Sequence, residues 1–198
     1  MVAELISVGT EILLGNIVNT NAAYLAEKCA LLGLSLYHQS VVGDNEARME
    51  DTIRRALERS DVVILTGGLG PTKDDLTKEV TAKVFKKALC EDAHTKERIM
   101  EFFQKIHNGE KITENNWKQA LIPEGAIIVE NQNGTAPGLI VIGDEGSGYE
   151  GKRAILIPGP PNECIPMFET QIAPYLSDLQ PEGIYSSMVK VCALGESR

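Results

Sequence analysis

Short apolar runs alternate with amphipathic stretches along the first half of the chain. Val2–Val8, Leu34–Val42 and Asp61–Thr66 are compact apolar runs and are predicted strands. Between them, apolar side chains recur at helical spacing over 22–32 and 49–57. The resulting β-α-β-α-β-α order predicts a parallel sheet with right-handed crossovers and helices on both faces, so the expected fold class is α/β.

In the second half of the chain, the sequence pattern changes from helical to strand-like at Pro123. Roughly 74–120 shows helical periodicity and predicts two or three helices, whereas short β-branched runs follow Pro123. A glycine-dense stretch over 143–151 is predicted to be a flexible hairpin loop, with a ligand lid as the alternative. The remaining predicted elements are strands at Ala126–Val129, Leu139–Ile142, Ala154–Ile157 and Ile184–Ala193, and a helix capped by Asn162 that runs to about Tyr175.

The composition is that of a globular protein with an acidic balance. The 198 residues include 19 Lys and Arg against 28 Asp and Glu, for a net charge of −9. This excess argues against a nucleic-acid-binding surface, and it would repel a polyanionic ligand unless metal ions or backbone amides offset it. No apolar run approaches the roughly 18 residues of a membrane helix, and no Lys or Arg precedes Lys28, so a cytoplasmic location without membrane contact is expected.

The cysteines and histidines show no spacing typical of a metal site. The cysteines form no Cys-x-x-Cys pair, so they are predicted to be buried thiols in a reducing compartment. The histidines sit at unrelated positions and are predicted to be surface or helix residues rather than ligands. The residues concerned are Cys29, Cys90, Cys164 and Cys192, and His38, His94 and His107.

A glycine-rich segment, Thr66–Thr77 (TGGLGPTKDDLT), is the strongest local signal. It follows an apolar strand and precedes a helix predicted to restart near Thr72. There, glycines allow a sharp turn that points backbone amides at an anion, and a helix N-terminus adds positive potential. Neither a P-loop nor a dinucleotide fingerprint fits, because no Gly-Lys-Ser/Thr follows and Lys73 occupies the place of the third glycine. The segment therefore predicts a phosphate- or carboxylate-binding turn.

Acidic residues follow this turn directly. Asp74 and Asp75 would repel a phosphate unless they hold a divalent cation that bridges to the ligand. Thr72-x-x-Asp75 also fits a capping box, so helix capping and metal or catalytic work both remain open for Asp75.

Three predicted strands deliver acids and hydroxyls to one edge of the sheet. Because the carboxyl ends of parallel strands share an edge where ligands usually bind, their side chains are expected to converge. For Asp44 alone a helix cap is the alternative interpretation. The convergent residues are Glu11, Asp44 and Asp75, with the hydroxyls of Thr10, Thr66 and Thr72.

The order of several motifs resembles a known family. The segments are Leu5–Gly15 (LISVGTEILLG), Asn19-Thr20-Asn21, Val42-Gly43-Asp44, Thr66–Thr77, Asn131–Gly138 (NQNGTAPG) and Ile157–Glu163 (IPGPPNE). Together they resemble the N-terminal domain of the competence/damage-inducible CinA family. That domain is similar to the molybdopterin-binding fold of the MoaB and Mog proteins.

The resemblance implies a three-layer α/β/α sandwich that binds a nucleotide-like or pterin-like ligand at the glycine-rich edge. It places Asp75 and Asp44 in catalytic positions and implies metal-dependent hydrolysis of ADP-ribose to AMP and ribose 5-phosphate. Adenylyl transfer to molybdopterin, a non-catalytic regulatory module and a generic sugar-nucleotide binder remain alternatives. The resemblance also implies a homo-oligomer, expected to be a dimer.

The resemblance and the sheet edge together define a predicted site. Asp75, Asp44 and Asp74 are the predicted ligands of a divalent metal, the first two also being catalytic. Residues 1–180 are expected to form the domain, and 181–198 to begin a truncated following segment. Chains of the CinA family usually continue with a nicotinamide-nucleotide amidase domain, so the resemblance implies no amidase activity for this chain. The predicted residues for binding a small nucleotide are Thr10, Glu11, Asn21, Thr66, Gly67, Gly68, Gly70, Thr72, Gly159, Pro160, Asn162 and Glu163, the last also a weaker candidate base.

Overall fold

A computed structural model of the chain describes residues 1–106 and 112–180. Its strands are β1 Val2–Val8, β2 Ser35–Val42, β3 Val62–Thr66, β4 Leu89–Glu91, β5 Leu121–Pro123, β6 Ile127–Val129, β7 Gly138–Ile142 and β8 Arg153–Ile157. Its α-helices are α1 Thr10–Leu13, α2 Thr20–Leu31, α3 Glu46–Arg59, α4 Thr77–Val84, α5 Ala93–Ile106, α6 Glu114–Trp117, α7 Pro161–Met167 and α8 Ala173–Leu179. A 3-10 turn forms at Lys118–Ala120, and a π-helical segment at Phe168–Ile172 joins α7 to α8.

Six strands form one mixed sheet in the order β2-β1-β3-β8-β7-β6. The first four are mutually parallel, whereas β7 and β6 are antiparallel to their neighbours. β4 and β5 pair separately as a short antiparallel ribbon. The predicted α/β class and mostly parallel sheet are therefore confirmed.

Side chains of the central strands alternate between two hydrophobic cores. In β3, Val63 and Leu65 pack in the core that contains α3 and α4, while Val62 and Ile64 pack in the core that contains α2 and α7. A strand whose successive side chains point to opposite faces needs a helical layer on each of them. The result is the expected α/β/α arrangement, with the carboxyl ends of the parallel strands at one edge.

The middle of the chain departs from the helical prediction. Leu89–Glu91 forms a strand that pairs with Leu121–Pro123, and α4 begins at Thr77 rather than near Thr72. Both strands of this ribbon are three residues long, too short to show the alternation by which strands are recognised. The predicted hairpin between β7 and β8 is confirmed by their antiparallel pairing.

Two of the cysteines match the prediction and one does not. Cys29 and Cys164 are buried, and burial raises the pKa of each thiol to about 12, which leaves both unreactive. Cys90 is exposed, because it lies on the short β4 ribbon at the surface. His38 and His94 are exposed as predicted, whereas Cys192, His107 and the predicted strand Ile184–Ala193 lie outside the described residues.

Candidate functional site

A cavity of about 740 Å³ opens at the carboxyl edge of the parallel strands. The residues that follow β1, β2, β3 and β8 all contribute to its wall, as the strand order predicts. Its size falls within the roughly 300–1,000 Å³ of small-molecule sites. The predicted residues that line it are Glu11, Asn21, Asp44, Thr66, Gly67, Gly68, Gly70, Thr72, Asp74, Asp75, Gly159, Pro160 and Glu163.

The glycine-rich turn is built from positions that exclude a side chain. Gly67 has a φ of 97°, and a Cβ there would lie 2.3 Å from the carbonyl oxygen of Val8. Gly68 has a φ of 67°, and its Cβ would lie 2.1 Å from Oγ1 of Thr77. That Thr77 hydroxyl donates a hydrogen bond of 2.8 Å to the carbonyl oxygen of Gly67. The turn is therefore held against β1 on one side and the start of α4 on the other.

The backbone amides of this turn are not all available to an anion. The N–H of Gly67 donates to the carbonyl oxygen of Ile157 over 3.0 Å, so this amide is not available to a phosphate. That N–H lies where β3 and β8 still pair, and the sheet uses it first. The N–H groups of Gly68 and Gly70 have no acceptor within the described part of the chain. These two amides are among the donors that the turn can offer.

Asp75 holds the loop that precedes α4 instead of capping the helix. Its Oδ2 accepts hydrogen bonds from the N–H of Thr72 over 2.9 Å and from Oγ1 of Thr72 over 2.5 Å. The capping-box interpretation is wrong, because α4 begins beyond Asp75 and Leu76 occupies its N-cap position without a side-chain bond. The second carboxylate oxygen of Asp75 stays without a protein hydrogen bond among the described residues, so it is available to a ligand.

Asp44 is fixed by the first turn after β1. Its Oδ2 accepts from the N–H of Thr10 over 3.1 Å and from Oγ1 of Thr10 over 2.8 Å. The helix-cap alternative is wrong, since it is Asn45 whose side chain accepts from the N–H of Arg48 and caps α3. Thr10 itself does not line the cavity, because its hydroxyl is turned to Asp44. Thr10 therefore positions Asp44 rather than binding a ligand.

Glu163 enters the cavity from the start of α7. Asn131 donates from Nδ2 to Oε2 of Glu163 over 2.7 Å, and the same amide group donates to the carbonyl oxygen of Ala136 over 2.8 Å. Burial raises the pKa of the Glu163 carboxyl, and the bond from Asn131 opposes that rise without cancelling it. A carboxyl with a raised pKa beside a cavity is suited to moving a proton.

Glu163→Gln tests this environment through the pH dependence of stability. Because the folded-state pKa is raised, the contribution of Glu163 to stability is full below its unfolded pKa of about 4.3 and is lost as pH rises through the folded value. Glutamine keeps an oxygen that can accept from Asn131 but cannot ionise. We expect the variant to gain stability relative to the wild type between pH 4 and pH 8, measured as the shift in urea midpoint.

The exposed Glu145 on the β7–β8 hairpin supplies the control. Glu145→Gln makes the same substitution outside the cavity, and the effect of Glu163→Gln on the urea midpoint is read against it. A Glu163→Gln variant that loses stability relative to wild type as pH rises would show that the cavity favours the carboxylate.

The cavity wall carries five carboxylates, and no Lys or Arg lines it within residues 1–106 and 112–180. These carboxylates belong to Glu11, Asp44, Asp74, Asp75 and Glu163. Across the same ranges, no three His, Cys, Asp or Glu residues lie close enough to enclose a metal ion by themselves. Mg²⁺ is typically held by one or two carboxylates together with substrate phosphates and water. The donor set therefore fits a divalent ion whose coordination is completed by the ligand.

Asn162 is the other predicted residue that the structure excludes from the cavity. It is exposed, and its carbonyl oxygen accepts from Nδ2 of Asn133 over 2.6 Å. It does not cap α7 either, because the helix begins one residue earlier, at Pro161. Pro161 has no backbone N–H, so the first position of α7 leaves no donor that a side chain would have to cap.

Comparison with known proteins places the chain in a family. The sequence model of a family described as a probable molybdopterin binding domain matches residues 4–178. A solved CinA protein of unknown function from Thermoplasma acidophilum is 37% identical, with a TM-score of 0.73 over 86% of this chain and 95% of its own. The chain belongs to the molybdopterin-binding domain family, in its CinA group.

Other CinA relatives are longer than this chain. A competence-damage inducible protein of Caldanaerobacter subterraneus subsp. tengcongensis is 51% identical over 198 residues, and a CinA-like protein of Dictyoglomus turgidum is 51% identical over 197. The matches cover 100% of this chain and 46% of each relative, so the chain spans about half the length of the curated relatives it matches.

None of the helices in the described ranges is long and apolar enough to cross a bilayer.

The wider molybdopterin-binding family shares the fold. The molybdopterin biosynthesis enzyme MoaB of Thermus thermophilus superposes with a TM-score of 0.55 over 92% of this chain and 98% of its own, at 15% identity. At that identity the likeness concerns the fold alone. It confirms the prediction of a MoaB- and Mog-like sandwich.

Phe102, Lys118 and Gln119 are among the residues of this CinA domain that sequence reasoning missed. Gln119 and Phe102 line the cavity, and Lys118 donates from Nζ to the carbonyl oxygens of Thr72 and Asp75. All three lie in the stretch whose helical pattern indicated only packing. The 3-10 turn bonds to the glycine-rich loop through Lys118 and Gln119, and α5 packs against that turn, which no local spacing reveals.

Proposed function

We propose that this CinA domain hydrolyses ADP-ribose to AMP and ribose 5-phosphate with the help of a divalent cation. The observation that carries the proposal is a cavity whose wall combines unpaired turn amides with five carboxylates and, among the described residues, no basic side chain. Such a wall repels a bare anion but suits a pyrophosphate accompanied by a metal ion.

In this proposal, the turn amides and the carboxylates have separate roles. The N–H groups of Gly68 and Gly70 would hold phosphate oxygens, and Asp75 and Asp44 would hold the accompanying cation through their free oxygens. When bound, a divalent ion supplies neutralisation of the charge that develops on the phosphates. Asp75 and Asp44 are each fixed by a threonine, so they keep their orientation while the ligand changes.

Glu163 is the group that accepts a proton. Water attacks one phosphorus of the pyrophosphate, the bridging oxygen leaves with the other phosphate, and Glu163 takes the proton that the water loses. Asn131 keeps one carboxylate oxygen of Glu163 occupied, which leaves the other free to take that proton. The products are AMP and ribose 5-phosphate, which account for every atom of ADP-ribose and one water.

Product analysis in the presence of magnesium or manganese tests the proposal. Incubation of the chain with ADP-ribose is expected to release AMP and ribose 5-phosphate in equal amounts, and a chelator is expected to stop the release. Oxygen from labelled water should appear in one product phosphate. Binding of ADP-ribose without products under every metal would support a non-catalytic module, and transfer of AMP from ATP to molybdopterin would support adenylyl transfer.

A further inference from the structure

Gln119 presents an unpaired acceptor at the cavity. Its side chain is 3% exposed, and Nε2 donates a long hydrogen bond of 3.3 Å to the carbonyl oxygen of Leu69. Oε1 of Gln119 is buried and has no hydrogen-bond partner among the described residues. A buried amide oxygen without a donor costs free energy, and native structures contain few of them. Gln119 lines the cavity, so a turn of its amide would bring this oxygen to a donor on a bound ligand.

Phe102 adds a flat apolar surface to the same cavity. It is the one aromatic residue among the cavity-lining residues of 1–106 and 112–180. α5, which carries Phe102, packs against the 3-10 turn that carries Gln119. An aromatic ring and an amide in one cavity form a common arrangement for a nucleobase, which stacks on the ring while the amide contacts its edge.

The 3-10 turn is tied rigidly to the glycine-rich loop. Nζ of Lys78 donates to the carbonyl oxygen of Lys118 over 2.5 Å, and Nζ of Lys118 donates to the carbonyl oxygen of Thr72 over 3.0 Å. Lys118 also contacts Glu79 at 3.6 Å. These bonds hold Gln119 at a set position relative to the amides of the turn, and a preorganised group discriminates better than a mobile one.

We propose that Phe102 and Gln119 form a base subsite that selects adenine over 6-oxopurines, a step that rests on the proposed nucleotide hydrolysis. Adenine carries a donor at N6 beside an acceptor at N7, and a glutamine amide matches both with its oxygen and its second N–H. Hypoxanthine and guanine carry an oxygen in place of the N6 amino group. That oxygen and Oε1 of Gln119 are both acceptors, so they would face each other with no proton between them. The subsite thus accounts for an adenine nucleotide as the ligand.

Binding of AMP and IMP, which differ at this one position, measures the selection directly. Calorimetric titrations in magnesium are expected to show AMP binding the wild type about tenfold or more tightly than IMP. Gln119→Met, which keeps the volume but removes the amide, should bring the ratio close to one. Phe102→Leu should weaken both nucleotides by a similar factor, because stacking tolerates any base.

Gln104→Met is the matched control, since Gln104 is an exposed glutamine on the same helix as Phe102 and does not line the cavity. It should leave both affinities unchanged, and thermal unfolding should show that all variants fold. Equal binding of AMP and IMP by the wild type, binding of neither, or a ratio that survives Gln119→Met would overturn the subsite. Selective AMP binding without hydrolysis of ADP-ribose would keep the subsite and refute the hydrolase.

Discussion

Asp75→Asn is expected to lower the rate of ADP-ribose hydrolysis by about 10² or more. The substitution removes a negative charge from the wall that holds the cation in the proposed function, so less of the charge that develops on the phosphates would be neutralised. Asparagine still has an oxygen that can accept from the N–H and Oγ1 of Thr72, so the loop before α4 keeps its hydrogen bonds. The measurement is the rate of AMP release at saturating ADP-ribose and magnesium.

Asp178→Asn provides the comparison, because Asp178 is exposed on α8 and does not line the cavity. It should leave the rate within a factor of two. The variants are compared at matched thermal stability, so that a fold defect is not counted as lost activity. Equal rates for wild type and Asp75→Asn would remove Asp75 from the catalytic machinery and with it the main support for a cation at this edge.

The fold was predictable where one physical signal dominated. In β3, a run of aliphatic residues between polar ends indicated a strand covered on both faces, and its residues do alternate between two cores. The short ribbon of Leu89–Glu91 and Leu121–Pro123 was not predictable, because its pairing joins segments about 30 residues apart. The exposure of Cys90 follows from the same pairing, because Cys90 lies on this ribbon. Long-range contacts decided these elements, and local patterns do not encode them.

The site was predictable in its position but not in its hydrogen bonds. The convergence of Glu11, Asp44 and Asp75 follows from parallel strands that end at one edge. What each polar group does there depends on its nearest partner. Thr10 bonds to Asp44 instead of reaching the cavity, and the N–H of Gly67 bonds to Ile157 instead of an anion. The alternative hydrogen-bond partners of each group lie only a few ångströms apart, and the spacing of residues in the sequence does not show which of them is bonded.

The acidic balance of the chain takes on a specific meaning at this edge. A net charge of −9 spread over the surface would favour solubility and little else. Five of the acids, however, face one cavity whose described wall has no basic side chain, although Lys118 lies just behind the loop and bonds to its carbonyl oxygens. The basic group thus shapes the loop, and in the proposed function the acidic wall is neutralised by a cation that arrives with the ligand.

Gly67→Ala is expected to cost about 3–5 kcal/mol of unfolding free energy, a large share of the roughly 5–15 kcal/mol that stabilises a domain. Two effects add at this position. The φ of 97° is unfavourable for any residue with a Cβ, and that Cβ would lie 2.3 Å from the carbonyl oxygen of Val8. Val8 ends the buried strand β1, whose neighbours on both sides leave the carbonyl no room to retreat. Urea unfolding at constant pH gives the measurement.

Gly15→Ala separates the two effects. Gly15 has a φ of 71°, but a Cβ there would meet nothing within 4 Å, so only the backbone strain of about 1–2 kcal/mol remains. Most of the difference between the two variants is therefore expected to come from the contact with β1. If Gly67→Ala were no more destabilising than Gly15→Ala, the close approach of the turn to β1 would be wrong. A larger loss of unfolding free energy at Gly67 would mean that the turn needs a glycine there to pass β1, independently of any ligand.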